Sequence, residues 1–370
     1  QLFFGGGDGI CYAFNPKPVY DEDEDLDFLR KVWWFDANPP EYKKDKTGKA
    51  IKYPAAEGPS EINATPVFYN NRVYIATGQD PEHGEGVGHL VCLDPTKKGD
   101  ITESGTIWSY KGIKRSISTV SIDPGNGLLF VSDFSGYVHC LDADTGELHW
   151  IYDMKAHMWG STLVADGKVY VGDEDGDFFV LASDKKMTLL SETYFPAPIY
   201  STPIVANGVL ISGMSGGEST TRGFLDGWDP DTGTKLWRRY TIPAPGEPGS
   251  ETWLQDSDAW MYGGGPTWRS GSYDPELDLV YWGTGNAEPY DPRPRGELDS
   301  LYTSSVLAIR PKTGELVCHF QYTPNDVYDV DGTDEHVLAD ITINGQSRKV
   351  MIQANKNVFL YVLDRTDCTL

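Results

Sequence analysis

The sequence predicts an all-β chain, a β-propeller of four-stranded blades. Three observations predict it: a unit of roughly 40 residues that recurs along the chain, an Asp-x-Thr-Gly turn inside that unit, and a composition rich in turn formers and aromatics. The 370 residues include 40 Gly, 24 Pro, 11 Trp, 21 Tyr and 14 Phe, which suits many short strands joined by tight turns.

The unit reads as an apolar strand, a turn, a glycine followed by a second apolar strand ending in Leu-Asp, then Asp-x-Thr-Gly and a closing Trp. One copy runs from Gly136 through Leu141, Asp142 and Thr145-Gly146 to Trp150. A second runs from Gly223 through Asp229 and Thr232-Gly233 to Trp237, and a third from Ser305 through Thr313-Gly314 to Cys318. Looser copies begin near Gly7, Thr65, Gly160 and Val358, the last ending at Leu370 before its closing strand. The expectation is six complete or nearly complete blades and one partial blade of a seven- or eight-bladed ring, in one domain over residues 1–370.

The turn chemistry supports this reading, because Asp caps its own backbone and Gly accepts a positive φ, so each copy joins two outer strands of a blade. A blade cannot bury its own faces, and the closing Trp is the natural packing residue against its neighbour. Cys11, Cys92 and Cys140 fall at equivalent strand positions, while Cys318 stands where other copies have Trp. With no CxxC and no adjacent pair, the five cysteines are expected to be small core residues rather than disulfides or metal ligands. The acidic run at residues 21–25 reads as a solvated loop, and the Pro- and Gly-rich inserts at 241–259 and 287–301 as loops over a propeller face.

A formal charge of −24 weighs against nucleic acid and anionic lipid as partners and favours cations and neutral solutes. No apolar run approaches membrane-spanning length, so membrane insertion is not expected. The chain opens on Gln1-Leu2-Phe3-Phe4 with no signal segment, as a mature form or a fragment would.

Two stretches, residues 78–84 (Gly78-Gln79-Asp80-Pro81-Glu82-His83-Gly84) and 171–177, make residues 1–205 resemble the repeat propellers related to outer-membrane assembly lipoproteins, which mostly bind partners. From about Ser201 the ordered motifs Ser215-Gly216-Gly217-Glu218, Gly263-Gly264-Gly265-Pro266-Thr267-Trp268, Gly283-Thr284-Gly285-Asn286, Thr323-Pro324-Asn325-Asp326 and Asn355-Lys356-Asn357 resemble quinoprotein methanol and ethanol dehydrogenases. The resemblance implies a quinoprotein-type propeller holding pyrroloquinoline quinone (PQQ) and a metal ion, with oxidation of a small primary alcohol to an aldehyde. It implies metal binding by Glu218, Asn286, Asp329 and Asp331, with Asp329 also the catalytic base. Trp268, Lys356, Arg115, Ser215, Gly216 and Gly217 would contact the cofactor.

Those residue types suit the chemistry. Oxygen donors hold a hard cation, a cation bound at a quinone acts as a Lewis acid, and a carboxylate accepts the alcohol proton. Asp331, two residues beyond Asp329, resembles the lanthanide-dependent branch, so Ca²⁺ or a lanthanide is implied. Cytochrome c as electron acceptor and a periplasmic location follow only from the resemblance. Three departures accompany it: no two cysteines are adjacent, Tyr200 stands where the family has threonine, and one extra blade at about 159–195 follows Arg115. The competing readings are a further inter-blade wedge for Trp268 and a solvated acidic loop around Asp326, Asp329, Asp331 and Asp334. For the whole chain the competitor is a non-catalytic propeller that binds protein or polysaccharide.

Overall fold

The computed structural model describes residues 1–51, 58–78 and 86–370; most of the 78–84 motif therefore lies outside the described residues. The fold is a β-propeller of seven sheets, six of four strands and one of three, with short 3-10 turns as the only helical elements among the described residues. The strands are short because the turns recur so often. None of the helical turns is long and apolar enough to cross a membrane.

The third sheet shows the common plan. Its strands Ser121–Asp123, Leu128–Ser132, Tyr137–Asp142 and Leu148–Asp153 pair antiparallel in chain order. The fifth sheet (Ile204–Ala206, Val209–Ser212, Phe224–Trp228, Lys235–Tyr240) and the sixth (Ser272–Asp274, Leu279–Gly283, Ser305–Ile309, Leu316–Gln321) repeat it. The seventh has only Val337–Ile343, Gln346–Ala354 and Leu360–Asp364. In the first sheet the fourth place is taken by Gly99–Asp100, paired parallel to the strand Leu26–Asp36. The acidic run there is a solvated loop, as expected, and forms the exposed tip of a long hairpin in which Asp21 faces Leu26.

The chain divides into two compact units, residues 1–173 with 179–190, and residues 174–178 with 191–370. Each is cored by apolar strand residues of adjacent sheets, such as Leu129, Val131 and Leu141 with Tyr74 and Cys92 in the first, and Val280, Trp282 and Leu307 with Ile211 and Leu225 in the second.

The closing tryptophans dock on the turn of the following sheet. Trp108 Nε1 donates to Ala143 O at 3.0 Å, Trp150 to Asp184 O at 2.9 Å and Trp237 to Pro311 O at 2.9 Å. For two of them a turn glycine makes the seat: a Cβ on Gly146 (φ +73°) would lie 2.6 Å from the Trp108 indole, and one on Gly314 (φ +68°) 2.6 Å from that of Trp237. Any side chain there would expel the ring.

The expectation for the cysteines holds for three of them and fails for two. Cys11, Cys92 and Cys140 are free and buried, as expected of small core residues. Cys318 and Cys368, however, form a disulfide across 50 residues of sequence. Cys318 occupies the docking position on the sixth sheet, and Cys368 occupies the glycine position of the seventh sheet's turn, its N–H donating to Asp364 O at 2.9 Å with φ +62°. With no indole to accommodate, that position carries a Cβ, and a covalent bond replaces the Trp-on-Gly seat.

Candidate active site

In an antiparallel sheet the connection from second to third strand and the exit from the fourth strand lie at one end, opposite the Asp-x-Thr-Gly turns. In the second unit those connections are long. Segment 213–223 carries Ser215 to Glu218, 241–271 carries Trp268, 284–304 carries Asn286, 322–336 carries Asp329 and Asp331, and 355–359 carries Lys356.

Five of the expected residues line one cleft of about 560 Å³: Glu218, Trp268, Asp329, Asp331 and Lys356, with Arg269 and Asn355 beside them. Its size is that of a typical small-ligand site. Lys356 Nζ donates to the Asp329 backbone carbonyl and lies 3.4 Å from Asp329 Oδ2. The Arg269 guanidinium stands 5.0 Å over the Trp268 ring. Asn286 lies just behind, 1% exposed, its backbone N–H donating to Asp331 Oδ1 at 2.8 Å.

The loop that presents the two carboxylates is built around Asp326, itself 1% exposed. Its carboxylate accepts N–H from Tyr328 (2.9 Å), Val330 (2.7 Å) and Asp331 (3.0 Å), and the Ser304 hydroxyl at 3.0 Å. Around that anchor Asp329 (φ +55°) and Asp331 (φ +66°) adopt left-handed backbone. Burial and the charge of Asp329 push the Asp331 carboxyl up to about 7, against the Asn286 N–H and Lys356, which pull it down.

Asp326 is half of a network that sequence reasoning did not single out. Arg295, fully buried, donates to Pro289 O (2.8 Å), Ser300 Oγ (3.0 Å), Asn325 Oδ1 (2.8 Å) and Asp326 O (3.2 Å), tying the insert at 284–304 to the loop at 322–336. Glu288 is 8% exposed, and its Oε1 accepts Asn286 Nδ2 at 3.1 Å. Burial raises its pKa, opposed by that hydrogen bond, and the charge of Glu218 raises it further. The only sequence signal for either was a charged residue inside a Pro- and Gly-rich insert.

The remaining expected residues sit around this cleft or apart from it. Ser215 donates its N–H to Pro198 O at 2.9 Å, Gly216 has φ +89°, and a Cβ on Gly217 would strike the Pro266 ring at 2.8 Å. Gly216 serves the left-handed turn and Gly217 the close approach of the chain to Pro266. Arg115, 1% exposed with its pKa lowered by burial, lies on the same class of connection but in the first unit.

The donor set fits a hard cation, since carboxylates and an amide carbonyl offer only oxygen, and crowding of Asp329 and Asp331 is what a cation would relieve. The site is not preassembled, because among the described residues no three His, Cys, Asp or Glu side chains converge as a ligand group. Glu218 lines the cleft with an exposed side chain. For a flat, anionic quinone the Trp268 ring and the cations Arg269 and Lys356 provide a matching wall.

Residues 183–369 match the family described as glucose/ethanol/alcohol dehydrogenase, β-propeller domain, and residues 103–188 match that of outer membrane protein assembly factor BamB. The chain is similar to quinohemoprotein alcohol dehydrogenase ADH IIB of Pseudomonas putida, 40% identical over 270 residues, covering 65% of this chain and 39% of that protein. Among solved structures it resembles quinohemoprotein alcohol dehydrogenase from Comamonas testosteroni (TM-score 0.62, 33% identity, 66% of this chain and 40% of that one). It also resembles a europium-containing methanol dehydrogenase (TM-score 0.52, 25% identity, 86% and 51%). The chain spans about two-fifths of the length of the two alcohol dehydrogenases.

Proposed function

The chain belongs to the glucose/ethanol/alcohol dehydrogenase β-propeller family, and on that premise we propose that it oxidises a small primary alcohol to an aldehyde with PQQ and a bound Ca²⁺ or lanthanide ion. The observation that carries this reading is the gathering of Glu218, Trp268, Asp329, Asp331 and Lys356, from four separate connections, into one cleft. Residues 1–370 are taken as one propeller domain in this reading.

Glu218, Asn286, Asp329 and Asp331 are the residues to hold the ion. Trp268 would floor the quinone, with Lys356 and the Ser215–Gly217 turn around it. When bound, PQQ supplies a hydride acceptor and the ion the Lewis acidity that polarises it. The chain does the proton chemistry: Asp329 Oδ2 takes the alcohol hydroxyl proton as the carbon gives up hydride. Lys356, already paired with Asp329, places a positive charge where negative charge grows. The two carboxylates at 329 and 331 favour an ion of higher charge, which makes a lanthanide the stronger candidate.

Cytochrome c is proposed as the electron acceptor and the periplasm as the location. The Cys318–Cys368 disulfide supports an oxidising compartment. The test is to incubate the purified protein with PQQ and Ca²⁺ or La³⁺, desalt it, and add ethanol. Quinone absorbance that stays with the protein and is bleached by ethanol supports the reading, and the better ion identifies the metal. Absence of retention with both ions sinks it. It would favour the second reading, a propeller that binds protein or polysaccharide, which draws on the match of residues 103–188 to an assembly factor.

A further inference from the structure

We propose that Glu288 is a positioning residue for the cation site, acting by holding the side-chain amide of Asn286 in the orientation that presents its carbonyl oxygen as a ligand. The inference rests on the metal-dependent reading of the cleft.

An asparagine amide has two chemically different ends of nearly equal size, and only the oxygen can bind a cation. Something must choose the end. Glu288 Oε1 sits 3.1 Å from Asn286 Nδ2, and a carboxylate only accepts, so it selects the NH₂ end for itself and leaves the carbonyl for the ion. The choice matters because Asn286 is 1% exposed, where no bulk water competes to reset the amide.

Glu288 is in turn held on both sides. Its N–H donates to Gly263 O at 2.9 Å, and Arg295 Nε donates to the next carbonyl, Pro289 O, at 2.8 Å. Asn286 O accepts from Gly265 N–H at 2.8 Å, so both residues are fixed against the glycine run 263–265. That close approach explains Gly264, which has φ +74° and whose Cβ would lie 2.7 Å from Asn286 O and 3.0 Å from Glu288 Cγ. Outer-shell carboxylates that orient a ligand typically contribute about 10- to 100-fold to metal affinity.

The experiment titrates the purified chain with Tb³⁺ alone, read by tryptophan-sensitised emission, for wild type, Glu288→Ala, Glu288→Gln, Asn286→Ala and the Glu288→Ala/Asn286→Ala double variant. The expected result is affinity lowered about 10- to 100-fold by Glu288→Ala, near-wild-type affinity for Glu288→Gln, whose carbonyl still accepts the amide, and a double variant no weaker than Asn286→Ala. Equal loss in Gln and Ala would mean that the negative charge acts on the ion directly, and would overturn the proposal. So would a further loss from Glu288→Ala when Asn286 is already gone, or no loss at all. If wild type itself binds no Tb³⁺, the cation reading fails, and this inference fails with it. Melting temperatures of all five proteins separate loss of binding from loss of fold.

Discussion

Asp133 in the first unit and Asp326 in the second are each 1% exposed, and each spends its carboxylate on backbone N–H groups. Asp133 accepts from Lys114 N (3.1 Å) and Tyr137 N (3.2 Å) and pairs with His139 Nε2 at 2.9 Å, closing the tight turn 133–136. Asp326 accepts from three N–H groups and a hydroxyl, and the connection it organises, 322–336, displays two further carboxylates into a cleft. The same device therefore yields a compact turn in one region and a displayed site in the other. What differs is the chain around it: the connection that carries Asp133 runs 133–136, and the one that carries Asp326 runs 322–336.

The largest effect that would sharpen this contrast is on activity. Asp329→Ala should lower dye-linked alcohol oxidation by about 10² to 10⁴-fold while far-UV dichroism and melting temperature barely change. A variant as active as wild type would remove Asp329 from the mechanism.

The next effect is on stability and concerns the covalent seat. Opening Cys318–Cys368, which closes 50 residues including the 322–336 loop, should cost about 2–4 kcal/mol. In denaturant titrations Cys318→Ser should show that loss, and Cys318→Trp/Cys368→Gly should recover part of it by restoring the seat used elsewhere. If the double variant is no better than the single one, the two kinds of seat are not equivalent.

A smaller effect would break the comparison of the two aspartates outright. Asp133→Ala and Asp326→Ala should each cost about 1–3 kcal/mol, the penalty for stranding buried donors, yet only Asp326→Ala should lower kcat per folded molecule. Equal kcat losses would mean that both regions feed the site.

The smallest effect is a pH slope from His336, buried in contact with Tyr322 and Gln353, whose ring burial pushes down to about 3. An unfolded histidine titrates near 6.5, so its folded pKa is depressed. The folded form then excludes a proton that the unfolded chain takes up, and stability falls as pH drops below about 6.5. A loss of about 1 kcal/mol between pH 7 and pH 5.5 is expected, and His336→Gln should flatten that part of the stability profile.

The blades were legible because packing is periodic: an apolar strand, Leu-Asp, a glycine turn and a closing Trp recur whenever one blade must cover the next. The cleft was legible through ordered motifs, which named Glu218, Trp268, Asp329, Asp331 and Lys356 without giving their geometry. Glu288 and Arg295 escaped because they lie in an insert with no period, where a charged residue reads as solvated until its partners are seen. The disulfide escaped because the cysteines were judged by their spacing along the chain, with no CxxC and no adjacent pair to point to a bond. Taken as a pair, Cys318 in a tryptophan position and Cys368 in a glycine position are complementary, and that joint departure was in the sequence.

The left-handed backbone at Asp331 bears on how this protein would respond to selection. A residue with φ +66°, carrying a carboxyl that burial pushes up to about 7, is conformationally and electrostatically costly to the folded state. Asparagine tolerates that backbone better and would still accept the Asn286 N–H without bringing a charge. Laboratory evolution for heat tolerance alone should therefore drift toward the substitution Asp331→Asn and discard a carboxylate from the cleft, so keeping aspartate there requires selection on function as well as on survival of the fold.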